Sequence, residues 1–209
     1  MTVDPPSQIR TCLRRSFYKR DTLAVAESLL GKILVRKLEV QGGTLTLAGY
    51  IVETEAYGCQ DDPASHAFGG RTKRNFVMFG DVGRLYVYFV YGNHYCANVT
   101  AKSNDIEAGA VLIRSILPLT GQDVMSKMRK HSKNLTMGPG RLTEALSITL
   151  AHNGLDVTQE SSVVSIHQGL EISEFRTSAR IGISRAIERP WRFIAFRFAC
   201  GLKTSVVVK

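Results

Sequence analysis

The sequence predicts an α+β domain: a curved, mainly antiparallel β-sheet with flanking helices. Segments rich in β-branched and aromatic residues outnumber helical patterns. They adjoin one another across glycine or short polar turns, and few strand–helix–strand units of the kind a parallel sheet requires lie between them. The chain has 209 residues, 44% of them hydrophobic, with no long Pro-, Gly- or Ser-rich linker and no internal repeat. Residues 1–209 are therefore expected to form one domain, with 1–15 a basic N-terminal segment able to stay flexible.

DTLAVAESLLGK (21–32) predicts the first helix, with Asp21 capping its start, Gly31 ending it, and Leu23, Val25, Leu29 and Leu30 available for burial. KILVRKLEV (32–40) and TLTLAGYIVETEAY (44–57) predict strands joined by a turn at Gly42 and Gly43. GDVG (80–83) is a turn, and LYVYFVYG (85–92) is the next strand. CANVTAK (96–102) and AVLIRSILP (110–118) predict two more, split by a polar turn over 103–107. Residues 121–131 and 140–147 read as helices. WRFIAFRF (191–198) reads as a half-buried strand, and TSVVV (204–208) adds another.

Twenty-seven Lys and Arg face 18 Asp and Glu, for a net charge of +9. This balance suits a polyanionic partner, either nucleic acid or an anionic membrane surface. The basic residues cluster at 10–20, at 71–74 and at 127–133, and as a series from Arg176 to Arg197 that reads as rim and surface charge. No apolar signal core opens the chain, and no stretch approaches the roughly 20 apolar residues of a membrane span. Cys12, Cys59, Cys96 and Cys200 are scattered without a CxxC pair, and the histidines are not at metal-ligand spacing with them. Reduced cysteines, a cytoplasmic protein (nucleoid-associated if bacterial), no metal and no cofactor are the expectation.

The most informative stretch is IVETEAYGCQDDPASH (51–66). Side chains alternate along a strand, so Glu53, Glu55 and Tyr57 share one face, with Thr54 and Ala56 opposite. In LYVYFVYG, Tyr86 and Tyr88 share a face and Tyr91 lies at the far end. Carboxylates beside flat phenols suggest a pocket with aromatic walls and an acidic floor; a solvated strand face with ordinary core tyrosines is the plainer alternative. Asp61 and Asp62 read as solvated loop carboxylates. A basic protein with an acidic, aromatic pocket makes sense if phosphates run along the rim and only a base enters, as in enzymes that rotate a base out of the duplex.

ETEAY (53–57), DDPASHAF (61–68), GRTKRN (70–75), LYVYFVYGNHYCANV (85–99), AVLIR (110–114) and MGPGRL (137–142) resemble the alkyladenine, or methylpurine, DNA glycosylase family, in order over most of the chain. The resemblance implies that Glu55 activates a water and that Tyr57, His66 and Tyr88 stack on and cradle a flipped base. It makes Tyr91 the wedge that fills the gap left in the duplex. Asn98 would crowd the exocyclic amino group of guanine, and Arg114 would lie near the pocket and the sugar-phosphate. Arg141 would contact the DNA backbone, and RIGI (180–183) would supply a main-chain group near the water. Gly58-Cys59-Gln60, Lys73 and Asn93 depart from the family pattern, the last beside the wedge.

The implied reaction is hydrolysis of the N-glycosidic bond of a damaged purine in double-stranded DNA, by a monomer that needs neither cofactor nor membrane. No lysine lies within ETEAY or LYVY, so water rather than a Schiff base is the expected nucleophile. Spacing alone does not separate Glu53 from Glu55 as the base; only the resemblance selects Glu55. Two other classes fit the same residues: a non-catalytic module that uses the aromatics as a stacking platform, and a glycosidase of free sugar polymers with Glu53 and Glu55 as its carboxylate pair.

Overall fold

The computed structural model describes residues 9, 11–90, 94–130 and 133–196. Among them, eight strands form one curled antiparallel sheet with short helices packed around it, the α+β architecture expected. The strands are β1 (Ile33–Val40), β2 (Gly43–Tyr57), β3 (Leu85–Val90), β4 (His94–Thr100), β5 (Ala110–Thr120), β6 (Val164–His167), β7 (Phe175–Ser178) and β8 (Arg192–Ala195). The spatial order is β3-β4-β5-β2-β1-β6, with β8 also paired to β2, and β7 to β8. TSVVV and the end of WRFIAFRF lie outside the described residues.

The helices are α1 (Arg15–Tyr18), α2 (Thr22–Ser28), α3 (Phe76–Phe79), α4 (Gln122–Arg129) and α5 (Pro139–Ala145). α2 begins where the Asp21 carboxylate accepts from the Leu23 and Ala24 amides, both at 3.0 Å. The chain leaves it through Gly31 at φ +80°, a conformation glycine adopts without the Cβ penalty. Val25, Leu29 and Leu30 are buried and Leu23 is half-buried. The Thr54 hydroxyl donates to the Ala26 carbonyl at 2.8 Å, which ties β2 to α2. Residues 11–14, at the end of the basic N-terminal segment, are docked: Cys12 bridges His167, and the Leu13 amide donates to the Ile166 carbonyl.

β2 is the spine of the sheet. One edge pairs with β5 over residues 48–57, and the other changes partner, from β1 over residues 43–50 to β8 over residues 53–55. Register shifts flank Glu53 at this changeover. Residues 47 to 56 are buried on both faces, so no solvated face exists there. The sequence reading missed β6, β7, α1 and α3. Each is four residues long, too short for a periodicity to stand out, and the two strands are held by pairing with β1 and β8.

Candidate functional site

Residues directly opposite in an antiparallel ladder project from the same face. Tyr86 pairs with Asn98, Asn98 with Leu112, Leu112 with Glu55, and Glu55 with Arg192. This row crosses five strands on one face of the curled sheet. The next position along β3 and β4 adds Tyr88 opposite Cys96, and the next along β5 on this face adds Arg114. Against the row lies a cavity of about 640 Å³, whose lining also includes His66, Arg74, Ile181 and Gly182.

Glu55 is fully buried, just behind the lining residues Tyr57, Arg114 and Ile181. Its Oε1 accepts from the Ile181 amide at 2.8 Å. Its Oε2 accepts from the Tyr57 hydroxyl at 2.8 Å and lies 3.2 Å from Nη1 of Arg114. Burial, then the charge of Glu55, pushes the Tyr57 phenol well above its ordinary range, so it stays a donor.

Glu53 is placed differently. Its Oε1 accepts from Nε of Arg114 at 2.9 Å and from Nε of Arg192 at 2.6 Å, and its Oε2 accepts from the Ser115 hydroxyl at 2.8 Å. Burial raises the Glu53 carboxyl, but the hydrogen bonds from Ser115 and Arg192 and the Arg114 charge outweigh it and hold the group below the usual carboxylate range. Glu53 is thus consumed by its cations, while Glu55 faces the lining. For Arg114, burial opposes the charge, and Glu55 and Glu53 together more than restore it.

The aromatic walls meet at His66. Its Nδ1 lies 2.9 Å from the Tyr86 hydroxyl, and its ring stands edge-on to Tyr88 with centroids 4.5 Å apart. Burial, then the Arg74 charge, lowers the His66 imidazole, which favours its neutral form. Asn75 holds this loop from beneath, donating to the His66 carbonyl at 2.7 Å and the Gly70 carbonyl at 2.9 Å. Asn98 lines the cavity and donates from Nδ2 to the Tyr86 carbonyl at 3.0 Å, so it serves the ladder as well as the site.

Tyr57, His66, Tyr88, Asn98 and Arg114 thus line one cavity, with Glu55 behind it. Arg141 is exposed and not in the lining; its Nη1 donates to the Met137 carbonyl at 3.4 Å. Tyr91, the expected wedge, and Asn93 lie outside the described residues.

Two expectations are corrected. Asp62 is a buried partner of Arg180 rather than a solvated loop carboxylate. The late arginines are not all surface charge: Arg180 is buried behind Tyr57, and half-buried Arg192 holds Glu53. Sequence reading missed both, since a charged side chain in a polar stretch is ordinarily exposed and nothing local marks its distant partner.

The family model described as methylpurine-DNA glycosylase (MPG) matches residues 16–197. Among curated proteins, the chain is similar to proteins provisionally named 3-methyladenine DNA glycosylases. The one from Carboxydothermus hydrogenoformans is 46% identical over 185 residues, covering 87% of this chain and 93% of that protein. The one from Ehrlichia ruminantium is 42% identical over 182 residues, covering 87% and 88%. The one from Rhodopseudomonas palustris strain BisB5 is 43% identical over 190 residues, covering 90% and 88%.

Proposed function

The chain belongs to the methylpurine-DNA glycosylase family and is a DNA glycosylase for alkylated bases; we propose that it draws a damaged purine out of duplex DNA into this cavity and hydrolyses the N-glycosidic bond with a water activated by Glu55. The product is an abasic site. The observation that carries the reading is the Glu55 carboxylate, fully buried directly behind aromatic walls and fixed by Ile181, Tyr57 and Arg114.

An ionised carboxylate has about four lone-pair sites. The contacts at Glu55 use one on Oε1 and two on Oε2, so Oε1 retains a site for the O–H of a water. Abstracting that proton as the water attacks the sugar carbon is general base catalysis, worth roughly 10²- to 10⁴-fold. Glu53 contributes by holding Arg114 through Nε, so the guanidinium orients Glu55 without belonging wholly to it. The Glu55 charge also favours positive charge developing on the sugar as the bond breaks.

Alkylation at a ring nitrogen makes the purine cationic and a better leaving group, so such a base departs without a general acid. Among the described residues no lysine lines the cavity, which supports water as nucleophile over a Schiff base. The exposed cations Arg71, Lys73 and Arg141 suit a phosphate-bearing rim.

Glu55→Gln keeps the size of the side chain and removes the proton acceptor. It should bind methylated duplex DNA about as tightly as the parent and release almost no base in single turnover. Excision within a few-fold of the parent would remove Glu55 from this role. Tight binding by the parent with no base released would instead favour a stacking platform.

A further inference from the structure

The face of a tyrosine ring carries the negative part of its quadrupole and attracts cations. Two walls of this cavity already have a cation against them. The Arg74 guanidinium lies 5.3 Å from the Tyr88 ring centre, and Arg74 itself lines the cavity. Arg180 lies 4.8 Å from the Tyr57 ring centre and does not line the cavity, so it occupies the far side of that ring. The charge of Arg180 is balanced by Asp62, and that of Arg114 by Glu53 and Glu55. Arg74 is exposed, and no carboxylate among the described residues lies within ion-pair distance of it.

We propose that Arg74 sets the charge selectivity of this cavity: its uncompensated guanidinium, standing over Tyr88, opposes a cationic base and shifts preference towards neutral purines. The inference rests on the glycosylase reading and deepens it. A cationic base would meet like charge at the ring face that should attract it. A neutral purine meets none, and its N7 and O6 can accept from the guanidinium. Repulsion placed against one ligand class is a common source of specificity.

The test compares single-turnover release of 3-methyladenine, cationic within DNA, with release of hypoxanthine, which is neutral. Neither base carries the guanine amino group, so the Asn98 contact does not enter. Loss of a phosphate contact would slow both reactions alike and cancel in their ratio. Arg74→Gln should raise the ratio of 3-methyladenine to hypoxanthine release roughly ten-fold, and Arg74→Lys should leave it within about three-fold of the parent. An unchanged ratio in Arg74→Gln overturns the proposal, as does an equal shift in Arg74→Lys, which would make guanidinium shape rather than charge the cause. In both cases a parent that releases the two bases leaves the glycosylase reading standing. A parent that releases neither removes that reading and this proposal together.

Discussion

Asp62 and Arg180, 118 positions apart, form a two-pronged ion pair with no side-chain exposure: Nη1 to Oδ2 at 2.6 Å and Nη2 to Oδ1 at 2.7 Å. The guanidinium lies between the Tyr57 and Trp191 rings, 4.8 and 5.0 Å from their centres. Asp62 also accepts from the Gly58 and Ala64 amides, and Arg180 donates to the Ala56 carbonyl at 2.9 Å. The residue after Arg180 supplies the amide bonded to Glu55. One ion pair therefore clasps the loop leading to His66 against the segment that orients the proposed base.

Asp62→Ala should destabilise the protein by about 3–5 kcal/mol, because it leaves a buried guanidinium unpaired. Urea denaturation measures this. Asp62→Asn, which keeps the shape and one of the two accepting oxygens, should lose less. A loss below about 1 kcal/mol for the alanine variant would mean that Arg180 reaches solvent or another partner.

Glu53→Gln should lower stability at neutral pH by about 2 kcal/mol, the scale of hydrogen bonds to a charged group. The sign of the pH dependence follows from the depressed carboxyl of Glu53. Its contribution is present above the ordinary carboxyl value, about 4.3 for Glu, and is lost as pH falls through the lower folded value. The gap between parent and variant should therefore close on acidification. A gap independent of pH from 7 to 3 would assign the loss to packing instead of charge.

Asn98→Ala should remove the bond to the Tyr86 carbonyl, at a cost of about 1 kcal/mol. It should also open space where a guanine amino group would sit, raising excision of guanine lesions relative to hypoxanthine by about ten-fold. Melting temperature and the two excision rates separate the effects. A lower Tm with an unchanged rate ratio leaves Asn98 as a strand residue and nothing more.

Alternation and turn chemistry determined a good deal from the sequence alone. The strands read at 32–40, 44–57, 85–92 and 110–118, described at 33–40, 43–57, 85–90 and 110–120, the capped helix after Asp21, and the shared face of Glu53, Glu55 and Tyr57 are consequences of local geometry. The blocks from ETEAY to His66 and from LYVY to YG also carried the family, because they are long and specific. What locality does not contain is register. Only the ladder decided that Tyr86, Asn98, Leu112, Glu55 and Arg192 stand in one row. The folded chain supplies the physical difference between two carboxylates that spacing makes equivalent: β2 changes partner at Glu53, which brings Arg192 and Ser115 to one carboxylate and leaves Ile181 and Tyr57 to the other. Asp62 and Arg180 look like surface charges in sequence because burying either alone is too costly; each becomes a core residue only when the fold delivers the other.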